Sequence, residues 1–339
     1  MLNLQNGAFI IAEIGVNHNG SLDMAKKLVD EAVRAGADAV KFQMFQADEL
    51  TTRTAGLADY QKKTMEATQH EMLKKLELSY ADFIELKKYC DNKNVFFMAT
   101  PFDVKSVDIL DEIGMKVFKV GSGDLTNFPL LKQISKKKKP IILSTGMALL
   151  EEIDRTISYL QSLNEKQEIC ILHCTSSYPA PEEELNLHVI KDYINRYPFT
   201  IGYSDHSSGI HIPVAAIALG AKIIEKHLTL DQTLPGPDHA ASMPAEEFKE
   251  MVRQIRLTET ALGSPHKQLT NLETQVKPLV RRGLYLKCDL PAGTVVTELD
   301  LVALRPLEGI EANEYENVLG KILKTFKKQH QPLSWDDFL

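Results

Sequence analysis

The sequence predicts an α/β fold: a (β/α)8 TIM barrel followed by a small, mostly β domain. Three observations predict it. Short apolar, β-branched runs alternate with longer amphipathic ones from Phe9 to about Leu262. The strand-like runs number eight, which suits a closed parallel barrel. No Gly-rich dinucleotide fingerprint follows the first run, which disfavours the open doubly wound sheet that is the structural rival. A chain of 339 residues accommodates a barrel of roughly 250 residues and a smaller second unit.

The strand-like runs are Phe9 to Ile14, Ala39 to Gln43, Val95 to Thr100, Val117 to Gly121, Ile141 to Ser144, Ile169 to Thr175, Thr200 to Tyr203 and Ile223 to Leu228. Helical periodicity lies between them. Leu22, Ala25, Leu28, Val29, Ala32 and Val33 line one face of Ser21 to Arg34, and similar patterns cover Tyr80 to Asn92 and Pro244 to Leu262. Ala47 to Ser79 is long and polar, with Tyr60 and Gln61, and reads as an extended active-site loop with a partial helix. The barrel is placed at 1–262. Gly263 to Lys277 is polar, contains Pro265 and precedes Pro278, so 263–279 is expected to be a linker. Residues 280–339 read as short strands, turns and one helical turn. The basic run Lys136 to Lys139 ends a helix, where it complements the helix dipole.

Composition narrows the function classes. A net charge of −7 disfavours general binding to nucleic acid or to an anionic membrane. It leaves room for an anionic substrate held by a few lysines in one pocket. Neither a signal peptide nor a membrane span is expected, because no window approaches 18 apolar residues. Cys90, Cys170, Cys174 and Cys288 form no CxxC pair. Cys170 and Cys174 face the same way along one strand but lie too far apart for a disulfide. Reduced cysteines in a cytoplasmic protein are expected.

Barrel chemistry lies at the C-terminal strand ends, and here nearly every strand ends in polar, reactive residues. Strand one ends in Glu13, with Asn17 and His18 beyond it. Strand two carries Lys41 and Gln43 on one face, and strand eight carries Glu225 and His227 on one face. Lys41, Lys119 and Glu225 are charges inside barrel strands, so they are either paired internally or used. Thr100, Ser122, Ser144, Ser176 and Ser204 stand one per strand at the ends of strands three to seven. Two lysines and a ring of hydroxyls around one mouth make a phosphate site. His206 and His227 end adjacent strands, and neutral imidazoles beside carboxylates suit Mn2+, Zn2+ or Fe2+. The parity of His173 with Thr175 points it inward. His18 lines the mouth or belongs to a loop, and Asp238-His239 reads as a lid contact. His188, His211, His266 and His330 read as surface or loop residues.

Taken together, IAEIGVNHNGS (11–21), AVKFQ (39–43), ATPFD (99–103), KVGSGDLTN (119–127), ILSTGM (142–147), LHCTSSYPAP (172–181), IGYSDHSSG (201–209), IEKHLTLD (224–231) and PGPDHAAS (235–242) resemble the sialic acid synthase family. VRRGLYLKCDLPAGTVV (280–296), LRPLEGI (304–310) and LGKI (319–322) are similar to the antifreeze-like (SAF) domain fused to those enzymes. The resemblance implies condensation of phosphoenolpyruvate with an amino-sugar aldehyde, giving N-acetylneuraminate or N,N′-diacetyllegionaminate. It implies that Lys41, Thr100, Lys119, Ser122, Ser144, Ser176 and Ser204 hold phosphoenolpyruvate. His206 and His227 would bind a divalent metal, Mn2+ first and Mg2+ or Co2+ as alternatives. Glu13 would position or activate water, and Glu13 or Glu225 would stabilise the charge that develops at C2. Gln43, Phe102, Asp124, Tyr178 and Asp238 would contact the sugar. Arg305 would reach the site of the partner subunit in a domain-swapped homodimer. Some members carry Asn in place of Ser176, and others Glu in place of Asp124.

Two other readings use the same residues. A metal-dependent barrel hydrolase or lyase of a phosphorylated sugar would need the same histidines and lysines. A non-catalytic sugar-binding scaffold would need neither Glu13 nor Lys119.

Overall fold

The computed structural model describes residues 7–57 and 67–339; Tyr60 and Gln61 lie outside them. The chain divides into two compact units, Met1–Gly263 and Ser264–Leu339.

The first unit runs β1 (Phe9–Gly15), α1 (Leu22–Ala35), β2 (Ala39–Met44), α2 (Ala47–Leu50), α3 (Gln69–Leu76), α4 (Tyr80–Asn92), β3 (Phe96–Pro101) and α5 (Val104–Glu112). It continues β4 (Phe118–Val120), α6 (Phe128–Lys136), β5 (Ile141–Ser144), α7 (Leu150–Leu163), β6 (Ile169–Cys174), α8 (Val189–Arg196), β7 (Thr200–Asp205), α9 (His211–Ala218) and β8 (Ile223–Thr229). The two-residue β9 (Met243–Pro244) and α10 (Ala245–Leu262) close it. The parallel ladder is ordered β3-β2-β1-β8-β7-β6-β5-β4, and β3 packs beside β4 to close the ring. This is the expected barrel, with strand limits within two residues of those the apolar runs mark. Local chemistry sets the helix ends. Ser21 caps α1 by accepting from the Met24 amide, and Gly36 (φ 83°) ends it in the left-handed conformation that glycine adopts without penalty.

Side-chain alternation divides the strands between two cores. One face packs against the helices, with Ile10, Ala12, Ile14, Val40, Phe42, Leu143, Ile171, Tyr203 and Ile224 among its members. The other fills the barrel axis with Phe9, Ile11, Ala39, Met98, Val117, Ile142, Leu172 and Ile223. One or more steps up the same inward faces stand Glu13, Lys41, Lys119, Ser144 and Glu225. Cys170 packs on the inner cluster, so β6 turns its even-numbered residues inward. His173 therefore faces outward, against the expectation from parity with Thr175: its Nε2 lies 2.7 Å from the Leu185 carbonyl oxygen, and it packs on Tyr193 and Tyr203.

On the outward face of β7 and β8, Lys226 donates to the Asp205 carboxylate and to the Ser207 carbonyl. Both side chains are almost fully withdrawn from water. This pair fastens together the strand ends that carry His206 and His227.

The second unit holds α11 (Asn271–Val280), the antiparallel pair β10 (Gly283–Leu286) and β11 (Leu301–Leu304), and α12 (Tyr315–Val318). Its own core gathers Leu284, Leu286, Val296, Leu301, Ile310, Leu323 and Phe338. The expected linker thus contains a helix. Thr270 and Glu273 form a reciprocal capping box at its start, and Pro278 lies inside its last turn, where it has no amide to donate to the Thr274 carbonyl. Among the described residues no helix is long and apolar enough to cross a membrane.

Two substitutions test this packing. A Cβ on Gly202 in β7 would lie 2.5 Å from Leu172 Cδ2 and 2.6 Å from the Ile223 carbonyl oxygen. Gly202→Ala is expected to destabilise the protein by about 1–3 kcal/mol, read from the midpoint of urea unfolding. Lys226→Met leaves Asp205 buried without its partner. It is expected to cost about 3–5 kcal/mol in the same measurement; an unchanged midpoint would show the pair to be dispensable.

Candidate active site

The C-terminal ends of the barrel strands surround a cavity of about 610 Å3. Its lining includes Glu13, Lys41, Gln43, Thr100, Phe102, Lys119, Ser122, Ser144, Ser176, Tyr178, Ser204, His206, Glu225, His227 and Asp238. Fifteen of the seventeen site residues expected from the sequence thus meet in one volume. Asp124 does not line it: this residue sits in a 3-10 turn, Ser122–Asp124, and its carboxylate accepts from Asn127 Nδ2 at 2.9 Å. Arg305 belongs to the second unit, just past β11, and is exposed.

Register places the charges. Glu13 stands opposite Lys41 on one side and His227 on the other. Lys41 Nζ lies 2.7 Å from Glu13 Oε2 and 3.7 Å from Glu225 Oε2, and donates to Thr100 Oγ1 at 3.1 Å. Lys119 Nζ donates to Ser144 Oγ at 2.7 Å and lies 3.6 Å from Glu225 Oε1, which also accepts from Ser204 Oγ at 2.9 Å. The buried lysines are therefore paired internally and also aimed, with their hydroxyl partners, into the cavity. Gln43 Nε2 donates to the second Glu13 oxygen at 3.2 Å.

These surroundings separate the two carboxylates. Burial pushes Glu13 up to about 7; Lys41 pulls it down less, and Glu225 adds repulsion. Burial also opposes charge on Glu225, but Lys119 and Lys41 together outweigh it and hold this group to about 2. Burial works against charge on Lys41 too, yet Glu13 and Glu225 raise it; Lys119 is lowered by its burial. Glu13 is thus the group able to exchange a proton near neutrality.

His206 and His227 lie with ring centroids 5.6 Å apart, and Tyr178 packs on both. His206 Nδ1 donates to the Thr175 carbonyl at 2.7 Å, which leaves Nε2 as the lone-pair nitrogen. His227 Nδ1 is buried with no hydrogen-bond partner, 3.8 Å from an Asp238 oxygen. Burial lowers the proton affinity of both rings, and for His227 the neighbouring His206 lowers it further. Two neutral imidazoles, one with an unpartnered nitrogen, have the donor chemistry of a divalent transition-metal site. Among the described residues no group of three or more protein donors gathers there, so further positions would fall to water or substrate.

Asp238 arrives on the loop after β8, and that loop is pinned to the turn after β1. Asn17 Nδ2 donates to the Leu228 carbonyl and to Ser242 Oγ; Ser242 Oγ in turn donates to the Asp238 carbonyl. His239 Nδ1 meets Thr229 Oγ1 at 2.8 Å, and His18 Nδ1 accepts from the Gly20 amide. His18 and His239 are therefore buried supports of the mouth and do not line it. Cys174, turned inward like Cys170, does not line the cavity but lies behind Ser122, its Sγ 3.1 Å from Ser122 Oγ. The sequence reading missed the largely apolar wall of Val16, Leu50, Met72, Leu73 and Leu76, with Gln69 beside them. The opposite end of the barrel has a cavity of about 450 Å3, where Arg256 is paired with Asp38; barrels do not carry their chemistry at that end.

Comparison with known proteins identifies the family. The family model described as "NeuB family" matches residues 28–267, and that of the SAF domain matches 281–339. The N,N'-diacetyllegionaminic acid synthase of Campylobacter jejuni is 46% identical over 94% of this chain and 97% of its own length. The enzyme of the same name from Legionella pneumophila is 44% identical over 97% of this chain and 94% of its own. The crystal structure of an N-acetylneuraminic acid (sialic acid) synthetase from Leptospira borgpetersenii superposes with a TM-score of 0.73 at 37% identity, covering 80% of this chain and 90% of that one. A parallel barrel whose strand tips deliver paired lysines, hydroxyls and two imidazoles, followed by a SAF domain, places this chain in the NeuB family of nonulosonic acid synthases.

Proposed function

We propose that this protein is a transferase that condenses phosphoenolpyruvate with an N-acetylmannosamine-type amino sugar, forming a C–C bond and releasing phosphate. One observation carries the reading: cations, hydroxyls, a tunable carboxyl and two neutral imidazoles share a single cavity. Lys41 and Lys119, with Thr100, Ser122, Ser144, Ser176 and Ser204, have the charge and donors to hold the phosphate and carboxylate of phosphoenolpyruvate. His206 and His227 would hold a divalent ion, Mn2+ before Mg2+ or Co2+, which supplies Lewis acidity to the aldehyde oxygen when bound.

The protein groups then have separable tasks. Gln43, Phe102, Tyr178 and Asp238 orient the open-chain sugar so that its aldehyde carbon faces C3 of phosphoenolpyruvate. As the new bond forms, positive charge develops at C2, and the Glu225 carboxylate stabilises it. Glu13, whose proton affinity is matched to neutral pH, takes a proton from the water that adds at C2. The alkoxide left on the former aldehyde carbon takes up a proton, and the tetrahedral C2 loses its hydroxyl proton as its bond to the phosphate oxygen breaks, leaving a C2 ketone and inorganic phosphate. In the proposed homodimer, Arg305 of one chain serves the sugar site of the other. The cytoplasm, where phosphoenolpyruvate is made, is the proposed location.

Three measurements test the reading. With Mn2+ and phosphoenolpyruvate, phosphate release is expected only when an amino-sugar aldehyde is added; release without it would favour a hydrolase or lyase. Lys119→Ala is expected to raise the phosphoenolpyruvate KM roughly 10- to 100-fold, the loss typical of a charged hydrogen-bond partner. In calorimetric titration, His227→Ala is expected to weaken Mn2+ binding by more than the roughly 10- to 100-fold lost when only an outer partner is removed. Unchanged binding would take His227 out of the metal site.

A further inference from the structure

The strand tips form the floor of the cavity, and just behind it the ends of β4, β5 and β6 meet. These three strands are neighbours in the ladder. Ser122 follows β4, Gly146 follows β5 and Cys174 ends β6. Ser122 and Ser176 line the cavity, whereas Gly146 and Cys174 are buried behind them. Gly146 donates its amide to Ser122 Oγ at 3.0 Å, and Cys174 Sγ lies 3.1 Å from the same oxygen. A Cβ on Gly146 would stand 2.2 Å from Ser176 Oγ, 2.9 Å from Ser122 Oγ and 3.0 Å from Cys174 Sγ. The φ of Gly146 lies outside the left-handed region, so backbone conformation does not call for glycine here. The close approach of these three atoms does.

A serine hydroxyl has one hydrogen to give and two lone pairs to receive. The Gly146 amide takes one lone pair of Ser122. Burial raises the proton affinity of the Cys174 thiol above its usual value, although Ser122 and Lys119 oppose it. The sulfur therefore keeps its proton at neutral pH and can donate to the second lone pair. Both acceptor positions of Ser122 are then filled from behind, and its own hydrogen is left for a group in front. On the synthase reading, on which this inference rests, that group is an oxyanion of phosphoenolpyruvate. We infer that Cys174 and Gly146 are positioning residues for this anion: they fill the lone pairs of Ser122 Oγ and turn its hydrogen toward the ligand. The bare Cα of Gly146 also leaves the space in which Ser176 Oγ stands. A donor oriented before the anion arrives costs little to reorganise on binding.

The test is calorimetric titration with phosphoenolpyruvate alone, in a double-mutant cycle over Cys174→Ala and Ser122→Ala. Cys174→Ala is expected to weaken binding roughly 3- to 10-fold, the worth of one well-placed hydrogen bond. With Ser122→Ala already present, the same change is expected to weaken it by less than about twofold, because the hydroxyl it directs is gone. Cys174→Ser restores a donor and is expected to bind within about threefold of the unaltered protein. Gly146→Ala, which displaces both hydroxyls, is expected to lose more than about 10-fold. Mn2+ affinity should stay within about twofold in every variant, since independent sites do not couple. Unchanged affinity in Cys174→Ala or in Gly146→Ala overturns the inference alone, as does an equal loss with and without Ser122. A loss of Mn2+ binding in step with phosphoenolpyruvate also overturns it, because it marks a general loosening of the barrel. Where Cys174→Ala does not fold, Cys174→Val, which keeps bulk without a donor, takes its place in the cycle. An unaltered protein that binds no phosphoenolpyruvate overturns the synthase reading together with the inference.

Discussion

Two ammonium and two carboxylate groups lie inside the barrel, almost entirely out of water, and the geometry of the strands keeps them together. Removing a single charge from water costs several kcal/mol, and the cost is offset only where partners lie close and the remaining hydrogen bonds are made. Here Glu13 and Glu225 share Lys41, Glu225 also faces Lys119, and Thr100, Ser144 and Ser204 add hydrogen bonds, while Glu225 Oε2 is left with Lys41 at 3.7 Å and no hydrogen bond. The groups come from β1, β2, β4 and β8, so their meeting depends on ladder register. A slip of one residue in any of these strands would turn its charge into the apolar layer beneath the helices. The outward Asp205–Lys226 pair therefore has a role beyond its own bonds. It fixes the relative height of β7 and β8, whose next residues are the two imidazoles.

The same electrostatic balance bears on the anion site proposed for this cavity. Two lysines stand beside two carboxylates, so each buried cation has an anionic neighbour. On the proposed reading, an arriving phosphate and carboxylate would compete for the lysines with carboxylates already in place, of which Glu13 is the one that burial disposes to take up a proton. Exchange of one set of charge-assisted bonds for another avoids exposing a bare buried cation at any stage. Fixed hydroxyls at strand ends add donors whose orientation costs little on binding, because the backbone beneath them is held by the ladder.

Much of this was legible in the sequence because it follows period-two alternation. Lys41 with Gln43, and Glu225 with His227, could be assigned to one face by counting, as could the placement of Thr100, Ser144 and Ser204 at the ends of β3, β5 and β7. Counting failed where the strand's absolute phase was ambiguous. In β6, Ile171, Leu172, His173 and Cys174 include apolar residues of both parities, and His173 was assigned to the wrong side. Nor does alternation reach beyond the strands. The capping box that makes α11 was overshadowed by Pro265 and Pro278, and Asp124 proved to serve a local turn through Asn127. The apolar wall was hidden because its members come from four separate segments, and no periodicity links Val16 to Leu73.

Floor and wall also differ in how freely they can change. Every floor residue sits in or immediately after a strand of the barrel, so a substitution there disturbs charge pairing, ladder packing or both. The wall rests largely on α2 and α3, in the insertion between β2 and α4, whose described residues contribute no strand to the barrel. Its side chains are held by one another and by Phe45. The Glu77 carboxylate, accepting from the Ala47 amide at 2.6 Å, ties the end of α3 to the start of α2. Changing Leu50 or Leu73 therefore leaves the charged floor standing on an intact barrel. An insertion of this kind can vary without rebuilding the strand tips beneath it, which is the general advantage of loops carried by a rigid scaffold.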